Sequence, residues 1–255
     1  MSALGYALAV LIGLSLGLLG GGGSILTVPV LVYVLAFPVK EAVPMSLAVV
    51  GTTSLFGAVS HHRRGNIRWD AALGFGPAAV LGAFLGGRIG LAISSRLQLM
   101  IFAGLMLAAA VSMYVGPAIW GGGKEADQPT VDPRRRRPLA LMAALGLVVG
   151  GITGLVGIGG GFLYVPALVL IAGVGMKQGV GTSLVLIIMS CIAGLVSYLG
   201  AIRIAWLETG IFTGLAIVGV LLGSAFAERV SAGALRKTFA VLLLVMGVLV
   251  FLKPR

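Results

Sequence analysis

The chain alternates between long apolar runs and short polar breaks, and the breaks carry nearly all of its charge. No Lys, Arg, Asp or Glu occurs in 1–39, 42–62, 71–87, 97–123, 138–176, 178–202 or 209–227. A run of ~20 uncharged, mostly apolar residues is long enough to cross a bilayer as a helix. The runs are continuous rather than alternating with period two, which selects helices over the strands of a membrane barrel. Apolar segments fall at 3–19, 24–37, 42–60, 70–92 and 97–117, and again near 140–156, 161–174, 179–199, 207–228 and 234–252. The expected fold is an all-α polytopic membrane protein with about eight to ten membrane segments.

The second set of segments repeats the first. Shifting the chain by 137 residues lays 1–118 over 138–255 without a gap, with 36 of 118 pairs identical. This gives two homologous repeats, 1–118 and 138–255, joined by the linker 119–137 within one transmembrane unit. The run from Gly17 to Pro29, Gly-Leu-Leu-Gly-Gly-Gly-Gly-Ser-Ile-Leu-Thr-Val-Pro, lies over Gly-Leu-Val-Gly-Ile-Gly-Gly-Gly-Phe-Leu-Tyr-Val-Pro from Gly154 to Pro166. Thus a glycine cluster joins the first two segments of each half, and the second segment is short and carries a proline. Such Gly/Pro-interrupted pairs at matching places of two repeats point to the binding site of a transporter.

Charge orients the chain. The linker contains Lys124 and the run Arg134–Arg137, which marks it as cytoplasmic and leaves no basic face for nucleic acid. An odd number of crossings per half would make the repeats inverted. Arg63, Arg64, Arg68, Lys177, Arg229, Arg236, Lys237 and the linker's five would then lie inside, 12 of the 18 basic residues. Parallel repeats would place 11 inside. The uncharged N-terminus favours the inverted arrangement, with 61–69 cytoplasmic and 198–206 external. The chain is expected in the cell membrane as a multi-pass protein.

Composition removes several classes of chemistry. Apolar residues make up 59% of the chain and charged residues 10%, too few charges to cover a soluble surface. One cysteine, Cys191, excludes a disulfide framework, and two histidines without a carboxylate cluster give no metal site. No P-loop lysine follows either glycine cluster. Neither a catalytic residue nor a cofactor is expected, and the protein is not read as an enzyme. All seven acidic residues lie at segment ends or in the linker, so a midplane relay through Asp or Glu is unsupported.

What remains is backbone and hydroxyls. Gly20, Gly22 and Gly23, with Gly157, Gly159, Gly160 and Gly161, let the main chain approach a ligand. The helices that follow begin near Ser24 and Gly161, where unpaired N–H groups and the positive dipole end favour an anion. Thr27 and Tyr164 occupy equivalent places just after the loops. Ser46 and Ser183 match each other, with Thr182 beside the second and Thr52, Thr53 and Ser54 beyond the first. Hydroxyls of this kind donate to anion oxygens, coordinate sodium, or bond their own backbone. His61 ends the third segment beside Arg63 and Arg64, either as a proton or anion contact or as part of a headgroup-level basic loop.

These motifs together resemble the sulfite exporter TauE/SafE family over nearly the whole chain. The resemblance is carried by Gly20–Pro29 and Gly157–Pro166. It also rests on Ser60-His-His-Arg-Arg-Gly-Asn-Ile-Arg-Trp69, similar to the family's Ser-His-x-Arg-x-Gly-x-hydrophobic-x-Trp stretch, in which Arg68 stands where relatives often carry an acid. The resemblance implies secondary transport of a small sulfur-containing anion such as sulfite or an organosulfonate. The partners expected are that anion and the lipid bilayer, with a homo-oligomer left open. The alternatives are an anion channel, or a membrane scaffold or assembly factor without a substrate.

Overall fold

The structure is a computed structural model; it describes residues 3–19, 24–115, 139–226 and parts of 241–252. The linker 119–137 and the glycines Gly20, Gly22 and Gly23 lie outside these. Most of the described residues are helical, and no strand occurs among them. The first half holds α1 (Ala3–Leu19), α2 (Thr27–Pro29) running into a π-helical turn (Val30–Val34), α3 (Val39–Arg63), α4 (Trp69–Ala92) and α5 (Ser95–Val115). The second holds α6 (Leu139–Val156), α7 (Gly161–Pro166) running into a π-helical turn (Ala167–Ile171), α8 (Met176–Tyr198) and α9 (Trp206–Phe226). Five helices, α3, α4, α6, α8 and α9, are long and apolar enough to cross a membrane. This is a multi-pass membrane protein.

The broken helices recur in register. Pro29 and Pro166 cannot donate to the helical ladder, and the turns that follow them are both π-helical. Each turn ends in the same way. Leu35 N donates to Val30 O and Phe37 N to Leu31 O; 137 residues on, Ala172 N donates to Ala167 O and Val174 N to Leu168 O. The residue that reverses the chain is left-handed in both, Ala36 at φ +59° and Gly173 at φ +68°. A non-glycine residue there is strained by about 1–2 kcal/mol.

Side-chain-free seams hold the bundle together. Gly146 faces Phe75, Gly150 faces Ala79 and Gly154 faces Ala83, in the same order along both helices, so α4 and α6 are parallel. Gly219 faces Val10 and Gly223 faces Leu14, so α1 and α9 are parallel too, and Gly13 enters the same seam against Ala216. α9 is the repeat equivalent of α4 and α1 that of α6, so one contact is made twice with the halves exchanged. A Cβ at Gly82, Gly86, Gly219 or Gly223 would run into facing backbone. These are packing positions of the kind that lets membrane helices touch.

At the centre, α3 and α8 are the most buried of the long helices. Leu47 meets Gly194, Gly51 meets Cys191 and Gly57 meets Leu184, pairs that run in opposite order along the two helices. α3 and α8 are therefore antiparallel, although they are equivalent helices of the two repeats. Large apolar side chains on α4, α6 and α9, among them Leu73, Leu81, Val148, Leu207 and Val218, are exposed, a surface suited to lipid. Lys40 Nζ donates to the carbonyls of Gly90 and Ile93 where α4 ends, pairing a cation with the negative end of that helix.

Candidate functional site

The second glycine cluster is a loop wedged among helices of both halves. α6 ends at Val156, and Gly157 turns left-handed at φ +77° while its N–H donates to Thr153 O at 2.9 Å, a helix-terminating geometry. Gly159 (φ +72°) and Gly160 (φ +69°) continue in a conformation that side chains rarely adopt. The Gly160 carbonyl then accepts from Leu163 N and Tyr164 N, both at 2.9 Å, and so starts α7. Residues 157–161 are all buried. The N–H groups of a first helical turn have no partner within the helix, so α7 opens with donors inside the protein.

The first half clamps this loop. Ser46 Oγ on α3 donates to Gly157 O at 2.7 Å. A Cβ at Gly157 would lie 2.9 Å from Val43 O, and one at Gly159 would overlap a methyl of Val50 and lie 3.5 Å from Ile187 on α8. At Gly160 a Cβ would collide with Thr153 Oγ1 and lie 2.8 Å from the Tyr164 ring. All three Cβ positions point into neighbouring protein, so the loop's backbone and its packing require glycine here.

Several hydroxyls have partners within the protein. Tyr164 is fully buried, and its hydroxyl meets Ser190 Oγ at 2.6 Å. Thr153 Oγ1 donates to Val149 O and Ser183 Oγ to Val180 O, each within its own helix. Thr182 Oγ1 accepts from Arg68 N at 2.9 Å. Ser24 begins the helical stretch after the first glycine cluster and is buried, as is Thr27. Thr27 Oγ1 has no hydrogen-bond partner. Sequence reasoning missed Thr153 and Ser190; their only signal was a lone hydroxyl inside an apolar run.

His61 belongs to a second place. The loop after α3 closes over the start of α8, where a Cβ at Gly181 would run into Asn66 O and lie 3.1 Å from His61 Cβ. His61 and Ser46 are 15 residues apart on one helix, roughly 22 Å at 1.5 Å per residue. The structure thus groups Ser46 with Gly157, Gly159, Gly160, Gly161 and Tyr164, and groups His61 with Thr182. His61 Nδ1 is buried and without a partner. In the second repeat Tyr198 stands where His61 stands, and its hydroxyl donates to Gly154 O at 3.2 Å at the end of α6. Arg68 pairs with Asp70, which holds the guanidinium charged, although an exposed pair of this kind contributes little stability.

Among the described residues no group of three or more His, Cys, Asp or Glu side chains could hold a metal ion. No solved structure matches the chain. The sequence profile described as Sulfite exporter TauE/SafE matches residues 5–250. A probable membrane transporter protein of Xylella fastidiosa (strain 9a5c) is 31% identical over 243 residues, covering 94% of this chain and 91% of that protein. A Haemophilus influenzae protein of the same description is 29% identical over 262 residues, covering 95% of each. The probable membrane transporter protein YdhB of Bacillus subtilis is 29% identical over 189 residues, covering 74% of this chain and 75% of its own. With a family match that spans nearly its whole length, the chain belongs to the sulfite exporter TauE/SafE family.

Proposed function

We propose that this protein is a secondary transporter, not an enzyme, that carries a small sulfur-containing anion across the cytoplasmic membrane by alternating access. The observation that carries the reading is the buried loop 157–160, non-helical at the depth of the central helices. In lipid such backbone persists only inside protein or along a wet cavity. Broken helices at matching places of two repeats are where transporters hold their cargo. Membership of the family and the names of its relatives, probable membrane transporter proteins, support the same class.

In this reading the repeats are inverted, which the antiparallel packing of α3 on α8 supports. The anion lies against backbone N–H groups at the starts of the broken helices, near Ser24, Gly160 and Gly161, with Gly20, Gly22 and Gly23 as the equivalent loop. Ser46 orients the second loop from the other half, because its proton already goes to Gly157 O. His61 and Thr182 act at the cytoplasmic end of the path rather than on the bound anion. The test is thermal stabilisation of the purified protein by sulfite, sulfate, thiosulfate, sulfoacetate and taurine. Stabilisation by at least one of these anions is expected. None stabilising would favour a scaffold without a substrate.

A further inference from the structure

Two buried hydroxyls stand apart from the rest. Most buried Ser and Thr side chains are satisfied: Thr53, Thr153 and Thr209 by the carbonyl four residues back, Ser183 and Ser197 by the one three back, and Ser46 across the halves by Gly157 O. Thr27 Oγ1 and Ser54 Oγ, both fully buried, have no partner. A buried hydroxyl left unpaired loses its hydration with nothing in return, so each calls for a bound water, ion or ligand. The carbonyl four residues before Ser54, Val50 O, already takes the Thr53 hydroxyl at 3.1 Å, and Ser54 makes no bond to the one three before it. The other unpaired buried atoms, Gln98 Oε1 and His61 Nδ1, belong to residues at helix ends.

Ser54 lies about two turns beyond Ser46 on α3. Ser46, Val50 and Ser54 follow at intervals of four on one helix face; the first two touch the loop at Gly157 and Gly159. Thr27 sits on α2, which packs on α3. Its equivalent Tyr164 bonds Ser190, the equivalent of Thr53, next to Ser54. The second half therefore closes its copy of this place with a phenol on a serine, and places Cys191 where the first half has Ser54. The first half has the shorter threonine and two hydroxyls with a hydrogen bond still to make.

The surroundings decide the ligand's charge. The carbonyls of Val49 and Val50, one turn before Ser54, already accept the Thr53 hydroxyl, which leaves few acceptors there for a cation. The hydroxyl protons are available to an anion. The fully buried side chains with polar atoms among the described residues are Ser, Thr, Gln, Tyr and Cys, and none carries a charge. The cost of burying an ion rises as the square of its charge, so a dianion here would cost about four times as much as a monoanion. We propose that Thr27 and Ser54 are the side-chain ligands of the cargo, and that the site takes an oxyanion with a single negative charge. This rests on the site proposed above and adds its ligands and its charge selectivity.

The test uses the full-length protein in detergent and two probes of fixed charge, methanesulfonate with one and sulfate with two. Calorimetry should show methanesulfonate binding at least about tenfold tighter than sulfate, or about 1.4 kcal/mol. Thr27→Val and Ser54→Ala should each weaken methanesulfonate at least about fivefold. Ser54→Cys, which copies the second half, should weaken it likewise and guards against misfolding of the alanine variant. Ser190→Ala, which removes only the partner of Tyr164, should stay within about twofold of wild type. Unchanged methanesulfonate affinity in Thr27→Val and Ser54→Cys, or sulfate bound as tightly as methanesulfonate, overturns the inference and leaves the anion-transporter reading standing. No binding of either probe, together with no stabilisation by any anion of the panel above, removes both.

Discussion

Gly160→Ala is the sharpest perturbation of the loop, and its cost can be worked from the structure. Gly160 is left-handed at φ +69°, where a side chain costs about 1–2 kcal/mol. The new Cβ would also meet Thr153 Oγ1 and lie 2.8 Å from the Tyr164 ring, overpacking of about 1–3 kcal/mol. Taking about 3 kcal/mol in all, the melting temperature should fall by about 6–12 °C. Because the loop that starts α7 must shift, anion affinity should fall as well. Gly82→Ala supplies the contrast. Its Cβ would run into the Leu147 carbonyl and lie 2.9 Å from Gly151 N in the α4–α6 seam, so stability should drop by about 3 kcal/mol or more while affinity is kept. Gly104→Ala, with nothing within 4 Å, should leave affinity alone and stabilise by up to about 1 kcal/mol. The assay pairs thermal unfolding in detergent with calorimetric binding of the best anion. Wild-type stability and affinity in Gly160→Ala, or an affinity loss confined to Gly82→Ala, would refute the reasoning.

Ala36→Gly relieves a left-handed alanine and should raise stability by about 0.5–1 kcal/mol, read as a higher melting temperature, after the added freedom of the unfolded chain is counted. His61→Ala should flatten the pH dependence of transport between about 5.5 and 7.5 without lowering protein yield; an unchanged profile would return His61 to the basic loop. In a Cys191→Ser background, cysteines introduced in 61–69 and 198–206 should label from opposite sides of the membrane. Labelling of both from one side would contradict inverted repeats.

Much of the architecture was legible in the sequence because it is written twice. The shift of 137 residues located both broken helices, and the structure repeats even the π-helical turns at that spacing. Gly82, Gly86, Gly219 and Gly223 were readable as packing positions because glycine at helical spacing lets backbones touch. The hydroxyls were not readable. Ser46 and Ser183 are identical and equivalent, yet one bonds the other half's loop and the other its own helix. That choice depends on which carbonyl lies within reach, and a sequence does not carry it. The direction of each glycine's missing Cβ was hidden for the same reason, as was the distance along α3 that separates His61 from the loop. Ser54 attracted no special notice because only the three-dimensional inventory of acceptors shows that it lacks one.

Carriage of an anion by alternating exposure of a saturable site should show itself as counterflow. Proteoliposomes are loaded with unlabelled anion, chosen as the best stabiliser in the binding panel, and diluted into a trace of the same anion labelled with sulfur-35. Transient accumulation of label above equilibrium is predicted, with an initial rate that saturates and that vanishes without internal anion. Label uptake that rises linearly with concentration and ignores the internal anion would identify a channel and contradict the account.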